Sequence, residues 1–423
     1  MPSKIHVVGA GLAGLAAAIR LSETGCAVAL YESGAQAGGR CRSYFDKELG
    51  CRIDNGNHLL LAGNRDAMAY VRAIGAAATF TGPDEASIGF LDLASGERWR
   101  VRPNRGRLPW WIFSDKRRVP GTRAGDYLGI LRLARAAPDD LVSQRLDSGT
   151  LLYRRLWEPF AVAALNTRPE EASAALLWRT IAESFGAGGA ACRPLVPRQG
   201  LSESLVDPAL ASLARAGAEI AFGRRLRRID FVGDRVAGLD FAEGMVALGA
   251  DEAVILAVPA WVAAELVPGL IAPATFRGIV NAHYRLALPG QEGGFLGLIG
   301  GVAEWVFVKP EVVSVTISAA ERWLDLPAET LTRLIWQDVA AAYGLDSTPP
   351  PPAARILKEK RATFAATPAD LARRPGPATR WRNLTLAGDW TATGLPATIE
   401  GAVRSGHSAA ATALTTPLGG GKA

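Results

Sequence analysis

The chain has 423 residues, 49% of them hydrophobic, and carries 47 Lys and Arg against 41 Asp and Glu, a formal net charge of +6. That length favours two domains over one core, and the apolar share argues against disorder. The basic excess is modest, and its denser runs, "DKRRVPGTR" (115–123) and "GRRLRRI" (223–229), lack the aromatic interleaving of a base-stacking groove, so a nucleic-acid partner is not indicated.

Cys26, Cys41, Cys51 and Cys192 form no CxxC pair and show no zinc-ligand spacing, so neither a disulfide framework nor a metal site is expected. No run of about 18 uninterrupted apolar residues occurs, as a membrane-spanning helix requires. The longest candidate, "AVILAVPAWVAAELV" (253–267), is broken by Pro259 and carries Glu265.

In chain order, "KIHVV" (4–8) and "CAVALYE" (26–32) read as short buried strands flanking an alanine-rich helix from Leu12 to Thr24, a βαβ unit. Residues 66–190 read as helical stretches holding Trp110, Trp111, Trp157 and Trp178. "GLSESLVDPALASLARAG" (200–217) has helical spacing, 218–241 alternates like a hairpin, and "DEAVILAVP" (251–259) is a buried strand. Strand-like runs occupy 275–320, followed by the helix "LPAETLTRLIWQDVAAAYG" and the stiff connector Pro349–Pro352. "NLTLAGDW" (383–390) reads as strand then turn, "PATIEGAVRSGHSAAATAL" (396–414) as a small-residue helix, and the tail "PLGGGKA" as a fraying end. The expected class is α/β: a discontinuous Rossmann-like nucleotide-binding domain from 1–65, 191–265 and 366–423, and an inserted mixed α+β substrate domain from 66–190 and 266–365.

Gly9, Gly11 and Gly14 form G-x-G-x-x-G between a strand and a helix, the context that motif needs. Gly9 permits the tight turn, Gly11 lets backbone approach a pyrophosphate, and Gly14 allows close helix–strand packing; Leu12 and Ala13 open the helix whose free N–H groups face the anion. Glu32 closes the second strand, where a carboxylate can accept from ribose hydroxyls, with Ser33 beside it. A second glycine pair with arginine, Gly38, Gly39 and Arg40, follows at once. It suits a longer, bent flavin dinucleotide, so the expected cofactor is FAD. With one dinucleotide motif in the chain, no separate nicotinamide site is read.

These residues, with "PRQGLSESL" and "AGDWTATGLPATIEGAVRSGHSAA", resemble the flavin amine oxidase and carotenoid desaturase superfamily, a GR2-type flavoprotein group, over nearly the whole chain. The resemblance implies that Gly388 and Asp389 sit by the FAD and that the helix start at Thr398, Ile399 and Ala402 points at the flavin pyrimidine edge. It also implies that the backbone of Leu226 holds the adenine and that Asn57 and His58 fall near the flavin. Thr398 stands where amine oxidases place a cage aromatic, and 276–289 has no lysine, which disfavours amine oxidation.

"DNGNHLLLAGN" (54–64), "LWEPFAVAALNTRPEEAS" (156–173) and "LTLAGDWTATGLPATIEGAVRSG" (384–406) resemble more particularly the hydroxysqualene dehydroxylases of bacterial hopanoid synthesis. The implied reaction is reductive removal of an allylic hydroxyl from hydroxysqualene, giving squalene, with electrons from an external donor the sequence does not identify. Such a reaction needs an acid, for which His58 ranks first and Asp54 second; a structural histidine and a loop cap are the plainer readings of the two. Two alternatives remain open on the same fold: a carotenoid or phytoene desaturase-type enzyme and a non-enzymatic isoprenoid carrier. The block Trp110–Trp111–Ile112–Phe113, the basic run 115–123 and the amphipathic stretch "DYLGILRLARAA" suit an anionic membrane surface, and equally a core tryptophan pair beside a solvated turn. The expected location is cytoplasmic, with peripheral contact on the inner face of the cytoplasmic membrane.

Overall fold

In the computed structural model, which describes residues 2–291 and 293–417, the expected βαβ unit is β1 (Lys4–Val8), α1 (Leu12–Ser22) and β2 (Ala27–Tyr31). The tail beyond Pro417 lies outside the described residues. β1 is central in a five-stranded parallel sheet ordered Glu219–Ala221, β2, β1, Glu252–Leu256, Leu384–Leu386. Both faces of that sheet are covered, which is why its strands are apolar almost throughout. Ile5, Val7 and Leu30 face α1 and the C-terminal helix Ile399–Thr415, whereas Val8, Ala29 and Tyr31 face the antiparallel strands Leu226–Val232 and Arg235–Phe241. The run 218–241 is therefore divided. Its first strand joins the parallel sheet beside β2, and the hairpin begins only after the turn at Gly223.

The second sheet is seven-stranded and mixed, ordered Ala354–Phe364, Phe276–Arg285, Val312–Ile317, Trp305–Val308, Phe295–Ile299, Ile88–Asp92, Arg98–Val101. The last two strands come from the segment read as helical. Their side chains supply the reason: Phe90 stacks on Trp99 at 5.6 Å and meets Trp305 edge-on, contacts that exist only once the chain has folded back. One face of this sheet (Val280, Ala282, Val313, Val315 and Ile317) packs on the helix Ala328–Tyr343 through Leu331, Ile335 and Val339. The opposite face carries Asn281, Thr316 and Trp305 in register and looks toward the loop 54–58. All four cysteines are free, and among the described residues no helix is long and apolar enough to cross a membrane.

The C-terminal helix lies so close on α1 that a Cβ at Gly406 would collide with the Ala13 carbonyl. Gly406→Val is expected to lower the unfolding free energy by ~1–3 kcal/mol through overpacking, measured by urea denaturation.

Candidate functional site

Gly9 turns the chain out of β1 with φ +104°, and a Cβ at Gly14 would collide with the Gly9 carbonyl, so α1 sits directly on the turn. At Gly11 the situation is opposite: a Cβ there would meet no protein atom within 4 Å. The second glycine pair is laid against this turn by backbone bonds. Gly38 N–H donates to the Ala10 carbonyl at 2.8 Å, and Gly11 and Gly38 form a parallel bridge. Glu32 closes the other side, its Oε2 accepting from Ala10 N–H at 2.9 Å and its Oε1 from Gly34 N–H at 2.8 Å and Ser33 Oγ at 3.1 Å. The segment leading into Leu226 runs alongside, since Arg224 N–H donates to the Glu32 carbonyl.

The end of the chain completes the seam. Arg40 Nη2 donates to Asp389 Oδ2 at 2.6 Å, joining two motifs 349 residues apart in sequence. Gly388 N–H donates to Ser405 Oγ, and Thr398 caps the C-terminal helix by accepting from Gly401 N–H. Arg374 holds the loop between them through the carbonyls of Asp389, Thr391 and Leu395. Neither Arg374 nor Glu400 is singled out by sequence reasoning. Glu400, buried in the helix's first turn, accepts from Asp66 N–H at 3.1 Å and Ala67 N–H at 2.8 Å and so caps α2 (Arg65–Ala73).

These residues fit an extended dinucleotide. The open space at Gly11 beside the free N-terminus of α1 is what a pyrophosphate needs. The Arg40 side chain is 45% accessible although burial strongly desolvates its guanidinium, so it borders an enclosed space. His58 behaves alike: it is only half-buried, yet desolvation pushes its ring below the ordinary histidine range. Its Nδ1 lies 3.3 Å from the Gly56 carbonyl, and the charges of Asp54 and Arg40 act on it in opposite directions.

Asp54 is tied to three separate parts of the chain. It is buried, and its carboxylate accepts from Ser43 Oγ, from Leu201 N–H at 2.9 Å and from Lys309 Nζ of the seven-stranded sheet. Asn57 makes the other link to the sheet, its Nδ2 donating to Thr316 Oγ1 at 3.0 Å while Thr316 donates to Asn281 Oδ1 at 2.8 Å. Across the sheet the register runs Asn281, Thr316, Trp305, Gly297, Phe90, Trp99. The wall is polar beside the loop and aromatic away from it, and Gly297 leaves the room in which Phe90 and Trp305 meet. The "ALNT" turn abuts this wall: Asn166 Oδ1 accepts from Ala319 N–H at 2.7 Å and its Nδ2 donates to Thr363 Oγ1 at 2.9 Å.

Lys309→Met would leave the Asp54 carboxylate buried without its counter-charge. A loss of ~3–5 kcal/mol in unfolding free energy at neutral pH is expected. The double variant with Asp54→Asn is expected to recover part of it, as read in a double-mutant denaturation cycle.

The chain matches the profile of the family described as "Flavin containing amine oxidoreductase" over residues 12–414. It is 51% identical over 411 residues to the hydroxysqualene dehydroxylase of Rhodopseudomonas palustris, covering 97% of this chain and 98% of that one. It is 49% identical over 415 residues to the hydroxysqualene dehydroxylase of Sinorhizobium fredii, covering 98% and 99%. Among solved structures, the cyclohexylamine oxidase of Brevibacterium oxydans shares the fold, with a TM-score of 0.71 at 16% identity over 98% of this chain and 99% of that one. The chain belongs to the flavin-containing amine oxidoreductases and, within them, to the hydroxysqualene dehydroxylase family.

Proposed function

We propose that this protein is an FAD-dependent hydroxysqualene dehydroxylase, which reductively removes the allylic hydroxyl of hydroxysqualene to give squalene. The observation that carries this reading is near-full-length identity of about half to relatives of that name, with the GGR and Gly-Asp motifs meeting through Arg40 and Asp389. The flavin, when bound, supplies the hydride that replaces the hydroxyl at the allylic carbon.

Gly9, Gly11, Leu12, Ala13 and Gly14 would hold the pyrophosphate, Glu32 and Ser33 the adenosine ribose, and the Leu226 backbone the adenine. Gly38, Gly39, Arg40, Gly388 and Asp389 would hold the middle of the cofactor. Asn57, His58 and the helix start at Thr398, Ile399 and Ala402 would border its flavin end. Arg40 and Asp389 offer an anion partner and a hydroxyl acceptor side by side. The half-buried Trp305 and Phe295 on the sheet wall, backed by the fully buried Phe90, suit a hydrocarbon chain and would keep water from an allylic cation. The polar part, Asn57, Thr316 and Asn281, is where a lone hydroxyl would find partners.

We further propose that the protein draws its substrate from an anionic bilayer leaflet. Leu108, Trp110, Phe113, Leu128 and Leu131 are each more than half exposed, while Trp111 packs edge-on against Tyr127 and ties the two segments together. Exposed Arg105, Arg107, Lys116, Arg123, Arg132 and Arg135 lie on the same segments. An apolar surface with basic neighbours matches the interface of an anionic membrane.

Incubation of the purified protein with hydroxysqualene, FAD and a chemical reductant is expected to yield squalene by mass; inertness together with turnover of phytoene would favour a desaturase instead. Gly11→Ala is expected to keep the fold, since its methyl meets no protein atom, while weakening FAD binding about tenfold or more by fluorescence titration. Trp110→Ser with Phe113→Ser is expected to abolish most co-sedimentation with anionic phospholipid vesicles; unchanged binding would place the contact elsewhere.

A further inference from the structure

Between the strand Leu384–Leu386 and the C-terminal helix, residues 387–398 run without regular structure. Gly388, Asp389 and Thr398, expected to meet the cofactor, all stand on this segment, and a connection of such length has to be shaped by contacts from outside it. Trp390 supplies one anchor, its Nε1 donating to the Val258 carbonyl at 2.9 Å. Arg374 supplies the other. Its Nη1 donates to the Leu395 carbonyl at 2.8 Å, and its Nη2 to the Asp389 carbonyl at 3.0 Å, to Thr393 Oγ1 at 2.9 Å and to the Thr391 carbonyl. All four acceptors are uncharged, so the guanidinium acts here through its planar fork of donors, which a lysine lacks.

Resting on the flavin reading, we infer that Arg374 is a cofactor-positioning residue, which shapes the 389–395 loop so that Asp389 is presented to the flavin nucleotide.

Asp389 is gripped at both ends. Arg374 holds its carbonyl, and Arg40 Nη2 holds its carboxylate at 2.6 Å. A turn of the loop would swing the carboxylate off Arg40, so the main-chain hold and the side-chain direction are one constraint. The two arginines also share a brace. Arg40 Nη1 donates to the Ala362 carbonyl, and the Arg374 guanidinium lies over the Phe364 ring at 4.7 Å, at the end of the strand Ala354–Phe364. That edge strand of the seven-stranded sheet therefore backs both halves of the clamp and ties the nucleotide seam to the second domain.

Arg374 is itself firmly placed. It follows the short helix Pro368–Ala372, capped by the Thr367 side chain, and Asp370 of that helix accepts from Ala274 N–H at 3.0 Å and Thr275 N–H at 3.1 Å. Next to it, Arg373 Nε donates to the Ala272 carbonyl at 2.9 Å. Burial lowers the pKa of Arg374 to about 10, which leaves it protonated at neutral pH. The clamp thus sets the charges of Arg40 and Arg374 against the single charge of Asp389, a balance that suits an anionic dinucleotide.

Arg374→Lys keeps the charge and loses the fork. In fluorescence titration of the full chain it is expected to bind FAD about tenfold or more weakly than the wild type, with far-UV circular dichroism unchanged. Asp389→Ala is expected to weaken binding comparably, and adding Arg374→Lys to it to cost less than about a further twofold, because the arginine acts through Asp389. At saturating FAD, the visible circular dichroism of the flavin in Arg374→Lys is expected to depart from the wild type in the same way as in Asp389→Ala. Should Arg374→Lys not fold, Arg374→Gln is read in its place; if neither folds, Arg374 serves the fold and the inference falls. A wild type that binds FAD alongside an Arg374→Lys of equal affinity, or of equal loss with and without Asp389, overturns the positioning role alone. A wild type that takes up no FAD overturns the flavin reading, and the positioning role with it.

Discussion

The contact on which the rest of the structure depends is that between α1 and the C-terminal helix. Small residues on both sides, Ala13, Ala16 and Gly406 among them, let the two backbones approach almost to touching. This proximity fixes where Gly388 and Asp389 emerge from the parallel sheet, and it delivers Asp389 to Arg40 at 2.6 Å. A larger residue at the crossing would widen the gap between the helices and with it the gap between the two halves of the nucleotide seam. Glu400 and Arg404 of the same helix extend the grip to α2 by capping it and by pairing with Asp66.

The seven-stranded sheet does a different job with the same economy. One face is uniformly apolar and packs on a helix, so the sheet cannot slide without exposing Val313, Val315 and Ile317. The other face is graded from amide and hydroxyl groups to indole and phenyl rings along a single register row. A hydrocarbon bearing one oxygen is matched by such a gradient, and the buried Lys309–Asp54 pair pins the sheet to the loop that carries Asn57 and His58. Here a buried ion pair serves register: its strength matters less than the geometry it enforces.

Much of the nucleotide-binding fold was legible because its requirements are local. The turn between β1 and α1 must contain glycine for steric reasons, and the strands must be apolar because both faces are covered. The pairing of Arg40 with Asp389 was not foreseen: each was read separately as a cofactor neighbour, and nothing in either motif alone points across 349 residues. The hairpin Ile88–Asp92 and Arg98–Val101 escaped notice because the strand that anchors it in the sheet, Phe295–Ile299, lies some two hundred residues further along the chain. The block Trp110–Phe113 split in two: Trp111 and Ile112 entered the core while Trp110 and Phe113 stayed outside, a division that no pattern in the run itself announces.

The order of strands in the parallel sheet has a consequence for biosynthesis. β1 leaves the ribosome well before its partner Glu252–Leu256 and the covering helix Ile399–Thr415, which are translated far later. The nascent N-terminal half therefore waits with an apolar sheet surface uncovered, a long-range closure of the kind that slows folding and invites chaperone attention. The glycine turn itself is completed late, because Gly9 packs against the Ala257 carbonyl and Ala13 against Gly406, both translated long after the turn.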